Sequence, residues 1–141
     1  GFILSFYKYD ESNNDWMPIR SLYNSSGVEG SKATGNNVFI AHYYYGSQKF
    51  SSIDLSKDGG NNWETVSSET GANIDVFGSY VFIGTARGPF ELSDNSGNTW
   101  QDVKTIGLPG SSNNSPYGRA LISKYYLWMN TQSGIFKYRY N

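Results

Sequence analysis

Apolar residues in this chain come in short runs separated by polar, glycine-rich stretches, and three of the runs match one another. They are Val38-Phe39-Ile40-Ala41-His42, Val81-Phe82-Ile83-Gly84-Thr85 and Leu127-Trp128-Met129-Asn130-Thr131, spaced 43 and 46 residues apart. Gly88-Pro89-Phe90 and Gly134-Ile135-Phe136 follow the last two runs at one common offset. In the first unit the stretch from Tyr43 to Phe50 is longer, which predicts a loop insertion or a longer hairpin. Runs this short, bounded by turn formers, predict β-strands. No segment holds a 3.6-residue apolar period, so no helix is expected.

A second repeat interlocks with the first. Ser56-Lys57-Asp58-Gly59-Gly60-Asn61-Asn62-Trp63 and Ser93-Asp94-Asn95-Ser96-Gly97-Asn98-Thr99-Trp100 both read Ser-x-(Asp/Asn)-x-Gly-x-x-Trp. Leu55 and Leu92 stand just before them, and Val66 and Val103 fall three residues after each Trp. A degraded third copy ends Asp15-Trp16-Met17-Pro18-Ile19; its upstream positions Tyr9, Glu11 and Asn13 have lost the Ser, Asp and Gly. Two independent markers in one order imply a repeating unit of four short strands. In the second full unit these are Ile74 to Phe77, Tyr80 to Thr85, Pro89 to Leu92 and Trp100 to Val103, with Gly78-Ser79 as the first turn. A four-stranded antiparallel unit at this period is the signature of a β-propeller blade. A two-sheet sandwich is the rival, but it would not need the same turn at the same place in each repeat.

The octapeptide has a physical logic of its own. A tight turn between strands leaves backbone N–H groups without a ladder partner. The short side chains of Asp58 and Asn95 can accept those hydrogens, and the Ser hydroxyls can add another bond. Gly60 and Gly97 can take a positive φ without a Cβ clash. The Trp63 and Trp100 indoles can then fold back and cover the turn. Structural turn residues are therefore expected at Ser56, Asp58, Gly60, Trp63, Ser93, Asn95, Gly97 and Trp100. A metal or catalytic role for Asp58 and Asn95 is the competing reading, and a self-satisfied turn is preferred to it.

These octapeptides resemble the Asp-box, or BNR, repeats of sialidases, sortilin-type receptors, photosystem assembly factors and many secreted bacterial propellers. The copy ending at Trp63 is complete, the one ending at Trp100 has Asn95 in place of Asp, and the one ending at Trp16 has drifted furthest. The resemblance covers essentially the whole chain as repeated blades. It implies propeller architecture, with the turns at the blade periphery and away from the site used by enzymatic members. It also implies an extracellular or cell-surface location.

Composition agrees with an all-β fold and narrows the chemistry. The 141 residues include 12 Tyr, 8 Phe, 4 Trp and 16 Gly, with 20 Ser and 14 Asn. Aromatics and turn formers of this kind favour strands and tight turns. There is no Cys, which excludes disulfides, thiol catalysis and thiolate metal sites. A net charge of −1 gives no general electrostatic reason to bind nucleic acid or an anionic membrane, and no apolar run is long enough to span a bilayer as a helix.

Catalytic constellations are not found in the sequence. A sialidase needs an arginine cluster, a Tyr–Glu nucleophile pair and an acid/base carboxyl. Only Arg20, Arg87, Arg119 and Arg139 are available, and none lies in the Arg-Ile-Pro context of that family. His42 is the only histidine, so multi-histidine metal centres are excluded; it is read as a strand-end surface or core residue. The Asp58-Gly59-Gly60-Asn61-Asn62 stretch lacks the alternating acids and terminal Glu of a calcium loop. No catalytic residue, metal or cofactor is therefore expected. Tyr43, Tyr44 and Tyr45 are the candidates for a binding or assembly surface. Asn24 and Asn113 match the N-glycosylation pattern.

Read as blades, the chain holds a partial unit over 1–20, full units at about 28–66 and 72–103, and a partial unit over 117–141. That is about three blades, whereas closed propellers use about 4–8. The expectation is a homo-oligomer or part of a longer polypeptide, joined as a ring or a filament. The leading function is a non-enzymatic binding scaffold or assembly subunit. The alternatives are a glycan-binding lectin or part of a sialidase-like glycosidase, and a structural subunit of an extracellular fibre.

Overall fold

The computed structural model describes residues 3–23, 27–44, 50–67, 73–84, 90–103, 120–131 and 134–140. Within them the chain is all-β, with strands grouped into antiparallel sheets and no helix. The first sheet pairs β1 (Ile3–Asp10) with β2 (Asp15–Tyr23). The second runs in order through β3 (Gly27–Thr34), β4 (Asn37–Tyr44), β5 (Phe50–Ser56) and β6 (Glu64–Ser67). The third repeats that order with β7 (Asn73–Phe77), β8 (Tyr80–Gly84), β9 (Phe90–Ser93) and β10 (Gln101–Val103). The fourth joins β11 (Ala120–Ile122), β12 (Tyr126–Thr131) and β13 (Gly134–Arg139).

The turns follow from local chemistry. Thr34 pairs with Asn37 and Phe77 with Tyr80, so two-residue loops close the first hairpins of the second and third sheets. Gly35 and Gly78, the first loop residues, sit at φ 57° and 60°. That is the conformation a II′-type hairpin asks of its first position, and it matches the twist of the flanking strands.

Alternation then decides which side chains meet. On the second sheet Phe39, Ala41, Ile53 and Leu55 share one face and are covered by Ile74, Val81 and Ile83 of the third. The other face of the third sheet carries Phe82, Phe90, Leu92 and Val103, which pack on Ala120, Ile122, Leu127 and Met129 of the fourth. The second and third sheets thus each present a forward face to their successor, and β3, β7 and β11 lie side by side in turn. Lys32 Nζ crosses the first of these junctions to Asp75 Oδ1 at 3.0 Å. The other oxygen of the buried Asp75 accepts the Ile122 N–H at 2.9 Å across the second.

Phe39 lies wholly inside this stack, so Phe39→Ala should remove about 3–5 kcal/mol of stability. Urea denaturation should show the lower midpoint. A variant as stable as the parent would mean that the two sheets do not depend on their contact.

Candidate functional site

Two places concentrate polar chemistry: the octapeptide turns and a buried cluster between β2 and β5. In the first turn Asp58 Oδ1 accepts from Ser56 Oγ at 2.8 Å, Asn61 N at 3.0 Å and Asn62 N at 2.8 Å. Its Oδ2 accepts from Asn62 Nδ2 at 2.7 Å. Ser56 Oγ accepts from Gly60 N at 2.7 Å. In the second turn Ser93 Oγ accepts from Gly97 N at 2.8 Å, and Asn95 Oδ1 accepts from Ser93 Oγ at 3.0 Å and Thr99 N at 2.9 Å. Asn95 Nδ2 donates to Thr99 Oγ1 at 2.8 Å, so the exchange of Asp for Asn is matched by that of Asn62 for Thr99.

The backbone N–H and side-chain hydrogen bonds from Asn62, then that from Ser56, hold the Asp58 carboxyl down to about 2. Its surroundings are donors, the wrong polarity for a cation. Among the described residues no group of three His, Cys, Asp or Glu could hold a metal. A shallow groove of about 310 Å³ runs beside the turn between Leu55, Lys57, Asp58, Asn62, Trp63 and Glu64. Lys57 and Glu64 form an exposed ion pair there at 2.7 Å.

Each turn also docks. The fourth-position N–H bonds back to the first hairpin of the same sheet: Gly59 N to Asn36 O at 2.8 Å, Ser96 N to Ser79 O at 2.7 Å. Gly60 and Gly97, at φ 99° and 87°, lie against the preceding sheet. A Cβ on Gly60 would come within 2.8 Å of Ile19, and one on Gly97 within 3.0 Å of Leu55. Trp63 Nε1 donates to Gly60 O at 2.9 Å and to Ile19 O at 3.2 Å. Trp100 packs against the core cluster that contains Phe39 and Leu55. The degraded copy is built differently. Asp10 pairs with Asp15 across a loop three residues shorter than the other two, Asp10 accepts from Ser12 and Asn13, and Trp16 stays exposed against the edge of Tyr9. With less loop there are fewer inward N–H groups to satisfy, and the Ser–Asp–Gly pattern has nothing to do.

The buried cluster was not singled out by sequence reasoning. Asp54 of β5 is almost wholly buried; its Oδ2 accepts from Arg20 Nη2 at 2.5 Å and faces His42 Nε2 at 3.2 Å. Thr65 Oγ1 donates to Oδ1 at 2.8 Å. The Arg20 guanidinium also lies 5.3 Å from the Trp63 ring centre, which ties the octapeptide to the cluster. Burial pushes the Asp54 carboxyl up, but hydrogen bonds from His42, Thr65 and Arg20 outweigh it and leave the group below its ordinary value. Ser52 Oγ lies 2.8 Å from the same His42 Nε2. A Ser–His–Asp relay needs the hydroxyl on one ring nitrogen and the carboxylate on the other. Here both converge on one nitrogen, so the arrangement does not activate Ser52 as a nucleophile.

Of the proposed surface tyrosines, Tyr43 is half-buried with its ring over Gly27, where a Cβ would overlap it. Tyr44 pairs with Phe50 through the backbone, and Tyr45 lies outside the described residues. Asn24 and Asn113 also lie outside them. Exposed aromatic and apolar side chains gather instead on the first sheet, with Tyr7, Tyr9, Trp16 and Tyr23, and on the fourth, with Tyr125, Trp128 and Ile135. No helix among the described residues is long and apolar enough to cross a membrane. No protein-family model matches the chain, and no curated protein matches it either.

Two expectations come from this geometry. Ser96 sits at φ 60° where the first turn has Gly59, so Ser96→Gly should relieve left-handed strain and raise stability by up to about 1 kcal/mol. Thermal unfolding measures it, and a lower midpoint would refute the strain. Arg20→Met should cost about 1–3 kcal/mol near neutral pH by leaving Asp54 short of a donor. Asp54 and Asp58 both have lowered folded values, so their stabilisation is present above the ordinary carboxyl pKa and is lost as pH falls through the folded ones. The gap between parent and Arg20→Met should therefore shrink in acid, read from unfolding midpoints across pH. A gap that widens below pH about 4 would contradict the sign.

Proposed function

We propose that this chain is a non-enzymatic module of Asp-box propeller blades, secreted or displayed at a cell surface, that serves as a binding scaffold or assembly subunit. The observation that supports this most directly is where the buried polar groups go. Arg20 joins the first sheet to Asp54 of the second, where His42 and Thr65 also hold it, and Lys32 and Asp75 join the second, third and fourth. The octapeptide acceptors are spent on their own turns. Asp58 lines the groove beside its turn, but its carboxyl oxygens are taken up by Ser56, Asn61 and Asn62.

The blade reading draws on the repeated strand order and on the first strands β3, β7 and β11 standing next to one another in sequence. The extracellular reading draws on the resemblance to secreted Asp-box proteins. Surfaces rather than a pocket then carry the work, through exposed Tyr and Trp that suit protein contact.

A panel of chromogenic glycosides, sialosides included, should give no turnover above the uncatalysed rate with the intact chain. Hydrolysis that disappears in Asp54→Asn would overturn the scaffold reading in favour of a glycosidase.

A further inference from the structure

The register equates positions between sheets and shows what the fourth sheet leaves uncovered. Phe39 pairs with Leu55, Phe82 with Leu92 and Trp128 with Lys137, each on the second and third strands of its sheet. Ile53 and Phe90 correspond in the same way to Ile135, which pairs with Asn130. Phe39 and Phe82 are each 0% exposed because the next sheet lies on them. Trp128 is 39% exposed and Ile135 72%, with Leu121 exposed beside Trp128. The forward face that is buried in two sheets is bare in the fourth.

The first sheet has the complementary surplus. Its bulge adds Ile19 on β2, so β1 alternates without interruption: Ile3, Ser5, Tyr7 and Tyr9 point one way, Leu4, Phe6 and Lys8 the other. The second set shares its side with Arg20 and Leu22, which meet the second sheet or are buried. The first set, with partners Trp16 and Tyr23, has no sheet behind it among the described residues; Trp16 is 61% exposed and Tyr23 67%. The two segments also differ in charge. Residues 120–140 carry Lys124, Lys137 and Arg139 and no acid. Residues 3–23 carry Asp10, Glu11 and Asp15 against Lys8, with Arg20 already bound to Asp54.

We propose that the Leu121, Trp128 and Ile135 face of the fourth sheet docks head to tail on the Tyr7, Tyr9, Trp16 and Tyr23 face of the first sheet in a second copy of this chain. The contact continues the rule that operates inside the chain, forward face on rear face, between segments of opposite charge. It deepens the assembly reading and rests on it. The glycoside assay tests that reading, while the mass of the particle tests this contact. Because the two faces differ, the contact is heterologous and gives a ring where it closes or a filament where it does not.

Two exposed substitutions separate the faces: Ile135→Arg spoils the forward face and Tyr23→Arg the rear one. The intact chain should have a mass that is a multiple of the single chain by light scattering or native mass spectrometry. Each variant alone should fall to the single-chain mass with its circular dichroism and melting curve retained. Mixed together, the two variants should form a one-to-one pair, since each contributes the face that the other lacks. A monomeric parent, a folded variant that still assembles, or a mixture that stays monomeric would each overturn the proposal. A variant that does not fold is replaced by Trp128→Glu or Trp16→Glu, read by the same masses.

Discussion

The seven residues that cross from β5 to β6, and again from β9 to β10, impose the constraint on which the surrounding packing depends. A crossing this tight turns its N–H groups inward, and a buried N–H without an acceptor costs about 1–3 kcal/mol. One hydroxyl and one short acceptor, Ser56 with Asp58 or Ser93 with Asn95, satisfy them from within. Only then can Gly60 and Gly97 approach the preceding sheet so closely that a side chain would collide with Ile19 or Leu55. In the first turn that approach brings the Trp63 indole to the Ile19 carbonyl and under Arg20, whose other side holds Asp54. The turn is therefore a joint between sheets as much as a link between strands.

Strands and tight turns were legible because their causes are local. Alternating apolar positions, Gly at positive φ and an acceptor two residues after a Ser act within one hairpin, and the repeat prints them twice. The degraded copy at Trp16 was less legible. Sequence spacing keeps a Trp three residues before an apolar one, but it does not register that the loop before it has lost three residues. The Arg20–Asp54–His42 cluster was illegible for a different reason. Sheet packing brings Arg20 to Asp54 across 34 residues of sequence, and strand pairing sets His42 beside it across 12. The repeat gives no second copy to compare, since Glu91 stands where Asp54 does, and Thr85 where His42 does. The one available signal was an acid flanked by Ile53 and Leu55 in a strand whose neighbours are otherwise apolar or Ser.

Repeats with similar apolar faces raise a question of order, because hydrophobic burial alone is indifferent to which sheet covers which. The buried polar contacts differ from junction to junction. Arg20 meets Asp54 at the first; Lys32 meets Asp75 at the second; the Ile122 N–H meets Asp75 at the third. Stacking the sheets in another order would keep much of the apolar contact but take Arg20 from Asp54, or Lys32 and the Ile122 N–H from Asp75. An uncompensated carboxylate in such a site costs far more than the mismatch of a methyl group. The polar residues between sheets thus act against the wrong neighbour, and the apolar ones hold the right neighbour in place. On that division of labour, the place of Leu121, which corresponds in register to Lys32 and Asp75, carries no charge to dictate a partner inside the chain. Its face is left to apolar and aromatic area, with the Lys137 ammonium 5.8 Å from the Trp128 ring centre.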